Sequence, residues 1–284
     1  MSYPTPIERA SPATRTLYPV AVVVVLALWL LPLVAIMVTS VRSAEELMMG
    51  NYWGWPQGFD FLQNYRAVFV QTPMARFFWN SLVITLPTVF FVLILSTMTG
   101  FVLARYRFPG AMLIFAILIG GNFIPHQILM IPVRDMMLRI GLYDTAYALV
   151  LFHSVFQTGF ATMFMRNFIA ELPHELFEAA RVEGATPWQV LRHVVAPLVR
   201  PALATLGVLV FTFVWNDYFW ALVLTQADTV RPVTAGLATL RGQYVTAWNI
   251  IAAATILVAV PPVVMFFLMQ KHFVAGLTMG AVKG

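Results

Sequence analysis

Between Glu171 and Pro201 the chain reads ELPHELFEAARVEGATPWQVLRHVVAPLVRP. Glu175, Glu178 and Glu183 can reach basic groups on another surface, and the small Ala179 and Ala180 let that surface approach the backbone closely. Good helix formers with acidic residues placed early predict a helix from His174 to about Val182. Gly184 then supplies the positive φ needed to leave that helix, with Ala185 just beyond it. Thr186-Pro187-Trp188-Gln189 has the N-cap, first-position proline and capping-box glutamine of a second start. Two short helices joined by a sharp bend make a docking peg. An ordinary amphipathic loop helix lying on a membrane surface would show the same pattern.

A second polar group interrupts an apolar run at Val214-Trp215-Asn216-Asp217-Tyr218-Phe219-Trp220. Amides that bond hydroxyls and aromatic faces that suit sugar rings could line a pore here. Helix–helix packing, with Asn216 and Asp217 bonded to neighbours or near the outer boundary, would use the same residues. Asn122 and Gln157 are lesser pore-lining candidates. Asp217 is the clear acidic group within the apolar runs, whereas ion-coupled carriers bury several carboxylates or basic groups at mid-membrane.

Several chemistries lack their residues. No G-x-x-x-x-G-K or G-x-G-x-x-G loop is present, so ATP hydrolysis by that route falls to a partner. His174-Glu175 begins a zinc-protease motif, but Glu178 stands where the second histidine belongs. The other histidines, His126, His153, His193 and His272, sit on different segments, and no metal site is expected. Zero cysteines exclude thiolate chemistry and disulfides.

The elements that must carry these groups are set by composition. The 284 residues are 60% hydrophobic and 10% charged, with a mean hydropathy of +0.81. Soluble domains are about a quarter charged, so lipid is the solvent this chain fits. Six apolar runs are long enough to span: Leu17–Val41, Phe78–Leu103, Ala111–Val133, Thr145–Met165, Leu198–Leu224 and Trp248–Met269. The expected organisation is an N-terminal tail over 1–16, a membrane domain over 17–270 with the polar loop at about 166–200, and a C-terminal tail over 271–284. The fold class is therefore all-α, polytopic, with about six transmembrane helices.

With the N-terminus cytoplasmic, ten of the 17 lysines and arginines fall inside and seven outside, Arg105 and Arg107 giving the clearest signal. Both termini and the Glu-Ala-Ala loop are then cytoplasmic. The net charge of +5 fits loops facing anionic headgroups, and no basic-aromatic stripe suits nucleic acid. The stretch 42–77, with Trp53, Trp55 and Tyr65, is either an interfacial aromatic belt or a small packed cap.

Glu178-Ala179-Ala180, Gly184 four residues on and Pro197 thirteen after Gly184 resemble the coupling-loop signature of binding-protein-dependent ABC importer permeases. The flanking Leu172-Pro173-His174-Glu175-Leu176 and Gly184-Ala185-Thr186 resemble the carbohydrate branch, in particular the maltose-type second permease subunit. So does the ending, Val274-Ala275-Gly276-Leu277-Thr278 and then Gly280-Ala281-Val282-Lys283-Gly284. The resemblance covers nearly the whole chain. Departures are Ala196, where the family has leucine, and Val194 in place of isoleucine.

The resemblance implies a six-span permease in the bacterial inner membrane, with Glu175–Ala185 as the coupling helix seated in a separate ATPase subunit. Glu178 would lie near basic groups and Gly184 would make the bend. Gly280, Lys283 and Gly284 would reach along the ATPase interface, or form a short tail. Implied partners are a second related permease, two ATPase copies that bind ATP and Mg, and an extracytoplasmic solute-binding protein. The chain itself would hold no cofactor and catalyse no reaction. The rival expectations are an ABC permease for a polyol or glycerol phosphodiester, an ion-coupled carrier, and a membrane-embedded enzyme.

Overall fold

The computed structural model describes residues 11–241 and 247–279, with backbone alone for 271–279. All regular structure among the described residues is helical. The residues divide into two compact units.

The first unit holds the described residues up to Gln71 and those from 247 to Ile256. Helix α1, Pro12–Val41, begins earlier than the expected tail boundary at Thr16. Ser11 caps it through its side chain and Pro12 takes the first helical position, a local start signal inside the expected tail. Of the expected 42–77 stretch, residues 42–71 form a packed cap around α2, Ala44–Met48, and α3, Phe61–Val70, and the rest opens the next helix. Arg42 is buried against Glu46 at 2.8 Å, and Asn64 donates to the Ser40 and Arg42 carbonyls. Asn249 donates to the Asn64 amide oxygen at 2.7 Å. Trp53 and Trp55 remain exposed at the surface of this cap.

The second unit holds Thr72–Arg241 and the chain from Leu257 onward. Helix α4, Met74–Arg105, packs along much of its length against a later helix, and glycine makes that possible. The expected third span does not run through. Helix α5, Ala111–Gly120, gives way at Gly121–Phe123, and Pro125 holds Ile124 extended. After a turn at His126–Leu129 the chain resumes as α6, Met130–Arg139, and the two arms are bent by 95°.

Thr145 caps α7, Ala146–Ala170, which is half-buried and lies against α4. The loop helices α8, His174–Val182, and α9, Pro187–Gln189, follow. A π-helical turn at Val190–Val195 leads to α10, Ala196–Leu198. Pro197 has no N–H to give the carbonyl four residues before it, and a wider turn absorbs that loss.

The expected fifth span is also broken. Helix α11, Arg200–Trp215, ends at Asn216, and α12, Phe219–Leu224, starts afresh. Asp217 accepts from the backbone N–H groups of Trp220 and Ala221, which starts the second helix. Helix α13, Val233–Thr239, packs on α4, and α14, Trp248–Met279, contains Pro261 and Pro262. Among the described residues, four helices are long and apolar enough to cross a membrane, or six if each of two bent pairs is one span, the second pair being Pro187–Leu198 with Arg200–Trp215 at 77°. The chain is a multi-pass membrane protein.

Candidate coupling site

The loop after α7 folds as its local signals dictate. Pro173 precedes α8 and Glu175 sits in its first turn, where the helix dipole favours a carboxylate. At the other end Ala185 N–H returns to the Ala180 carbonyl at 2.9 Å, and Gly184 has φ +72°. Thr186 Oγ1 accepts from Gln189 N–H, while Gln189 Oε1 accepts from Thr186 N–H at 2.8 Å, closing the capping box.

Glu175, Glu178, Ala179 and Gly184 are exposed together on this hairpin, whereas Ala185 is half-buried. Ala180 is only 7% exposed and packs into the core of its unit. Its small side chain therefore lets α8 sit close to the bundle and does not meet an outside surface, which corrects the expected role. Val182 takes the outward place instead, at 88% exposure.

What holds α8 in place is a residue that the sequence offered only as a topology signal. Arg105, in the last turn of α4, donates through Nη2 to the carbonyls of Ile169 and Leu172, each at 2.6 Å. Its guanidinium carbon lies 3.8 Å from the Phe177 ring centroid. One side chain thus joins the ends of α4 and α7 to the middle of α8. A cavity of about 430 Å³ opens beside it, lined by Arg105, His174, Phe177, Glu178 and Arg181 among others.

The pore-lining candidates separate. Trp215 is 1% exposed and its Nε1 donates to the Val258 carbonyl at 3.0 Å, so it packs between helices and presents no face to a lumen in this chain. Asn216 is exposed at the end of α11. Asn122 donates to the Leu118 carbonyl at 2.9 Å, in the last turn before the α5 break. Asp217 and Gln157 do come together, on the wall of a cavity of about 250 Å³ with His126 and Trp220. His153 Nε2 lies 3.5 Å from the Asp217 carboxylate. Gly280, Lys283 and Gly284 fall outside the described residues.

Residues 75–279, which contain both the hairpin and the cavity, match the binding-protein-dependent transport system inner membrane component family. The chain belongs to that family. This transport-system component is similar along almost its full length to curated relatives. The arabinooligosaccharides transport system permease protein AraQ of Halalkalibacterium halodurans is 31% identical over 98% of this chain and 99% of its own. The trehalose transport system permease protein SugB of Mycobacterium tuberculosis is 34% identical over 90% and 93%. A chain of a bacterial ABC transporter involved in the import of the acidic polysaccharide alginate superposes with a TM-score of 0.79. That match has 24% identity and covers 95% of this chain and all of the other, which shows that the two share a fold.

Proposed function

We propose that this inner membrane component is one membrane half of an ATP-driven importer for a sugar or sugar-like solute, with both termini cytoplasmic. It pairs with a second, related permease, two copies of an ATPase that bind ATP and Mg, and an extracytoplasmic solute-binding protein. Relatives named for arabinooligosaccharides and trehalose support the solute class. The hairpin carries the reading: Glu175, Glu178 and Ala179 stand exposed on a nine-residue helix that is tied to two spans and ends in a left-handed glycine. That shape fits a cleft on a partner with basic groups, and its ties convert motion of the partner into rigid-body motion of spans. This chain binds and transmits; hydrolysis belongs to the ATPase.

The test is the assembled transporter in lipid, with ATP hydrolysis measured as binding protein and saccharide are added. Stimulation by a saccharide is the expected result. Glu178→Lys reverses the charge on the exposed face, and Gly184→Pro cannot adopt φ +72°. Each should cut stimulated hydrolysis and uptake at least tenfold. Unchanged assembly and uptake in both variants would remove the coupling assignment.

A further inference from the structure

The cavity beside the α11–α12 break is built from three separated segments: the His126–Leu129 turn, one face of α7, and the start of α12. Its floor is aromatic. Phe152 stacks on Phe156 with centroids 5.6 Å apart, and lies tilted against Trp220 at 3.8 Å. Trp220 is 2% exposed, so it backs the half-buried Phe156 and fixes it in place.

The charges around it are already engaged. The Asp217 carboxylate accepts from Trp220 N–H at 3.4 Å and Ala221 N–H at 3.0 Å, and faces His153. It is a helix cap and an anchor, not a free ion that would attract a cation. Trp220 Nε1 donates to His126 Nδ1 at 3.4 Å, which makes Nδ1 the acceptor and leaves Nε2 to carry the proton.

Two side chains on the wall are left over. Gln127 is exposed and Gln157 half-buried, and neither amide has a hydrogen-bond partner among the described residues. A membrane chain does not turn unpaired amides toward hydrocarbon, so they meet water, a ligand or the second permease.

We infer that the half-buried Phe156 ring, backed by Phe152 and Trp220, with the Gln127 and Gln157 amides beside it, is a binding subsite for one ring of a neutral saccharide. Amides both donate and accept, as vicinal hydroxyls require, and the Phe156 ring meets the apolar face of a pyranose. The engaged charges disfavour an ionic solute. Complete small-molecule sites occupy roughly 300–1,000 Å³, and at about 250 Å³ this cavity holds one ring of a longer solute. The subsite would give this subunit direct contact with the passing solute. The inference rests on the importer reading above.

The experiment uses the complete transporter with its binding protein in proteoliposomes. The probe is whichever of maltose, trehalose and arabinotriose stimulates ATP hydrolysis most in the wild type. If none stimulates, the sugar-importer reading fails and takes the subsite with it. With a stimulating probe, uptake per ATP hydrolysed is compared for wild type and for Gln127→Leu combined with Gln157→Leu. Leucine keeps bulk and removes both hydrogen-bonding ends. A drop of more than threefold in uptake per ATP, with basal hydrolysis retained, is the expected result. A smaller drop overturns the subsite and leaves the importer reading standing. Should the double variant not assemble, Gln127→Leu alone, at an exposed turn, is judged by the same threshold. A merely structural role would lower hydrolysis and uptake together and leave their ratio unchanged.

Discussion

A guanidinium that donates to two carbonyls at the end of one helix, while sitting over an aromatic ring of the next, restrains both helices at once. Arg105 does this to α7 and α8 from the end of α4. Hydrogen bonds to charged groups contribute about 1.5–3 kcal/mol each, and a cation–π contact about 0.5–2 kcal/mol. Arg105→Ala should therefore loosen the coupling hairpin and lower saccharide-stimulated ATP hydrolysis severalfold without unfolding the spans. Arg105→Lys should recover only part of it, because an ammonium cannot bond two carbonyls in a fixed fork and stack on a ring. Full activity of the lysine variant, measured in reconstituted transporter, would mean that charge alone suffices there. The hairpin's own geometry was legible because Gly184, Thr186 and Gln189 act on backbone within a few residues. The role of Arg105 was not, since its partners lie 64 and 67 residues away.

Helices in lipid gain little from hydrophobic burial against each other and depend on close approach through small residues. Gly100 marks a close approach of α4 to α7. A Cβ there would stand 2.9 Å from the Arg166 backbone nitrogen and 3.1 Å from Met165 Cβ. Gly159 is pressed in the same way against the Leu118 carbonyl of α5. Gly207 on α11 differs, because its added Cβ would meet only Leu93 Cδ1 at 3.6 Å and Val89 Cγ1 at 4.0 Å. Gly100→Ala should therefore destabilise by roughly 1–3 kcal/mol through overpacking. Gly207→Ala should be neutral or stabilising by up to about 1 kcal/mol, since alanine favours helix over glycine. Thermal unfolding of the two variants in one detergent decides; equal midpoints would show that α4 and α7 are not in register through Gly100.

The existence of the elements was legible from the long apolar runs. Two of their breaks were not, because a window average registers Gly120-Gly121…Pro125 and Asn216-Asp217 as brief dips in an apolar stretch. Whether proline or glycine in lipid bends a helix or ends it depends on which neighbour takes the freed backbone groups. For α12 that neighbour is Asp217, visible only once its carboxylate is seen on two N–H groups.

Helix α7 connects the two regions that matter. Phe152 and Gln157 face the cavity, and twelve residues beyond Gln157 the Ile169 carbonyl is held by Arg105, about 18 Å along the axis at about 1.5 Å per residue. Its interior has no proline, and its length packs on α4, so the helix moves as a rod. Force applied at α8 would then reach the cavity as a tilt of that rod, with no bending required. The chain has no cysteine, so labels can be placed at chosen sites alone. Tyr147→Cys and Asn167→Cys, both at exposed positions on α7, place two spin labels about 30 Å apart along the axis. Their distance distribution should be the same in nucleotide-free and ATP-trapped transporter. Over the same transition a Gln157→Cys thiol should change severalfold in its reaction rate with a water-soluble reagent. A rod that shortened or bent between the two states would break the mechanical link, because the hairpin could then move while the cavity stayed as it was.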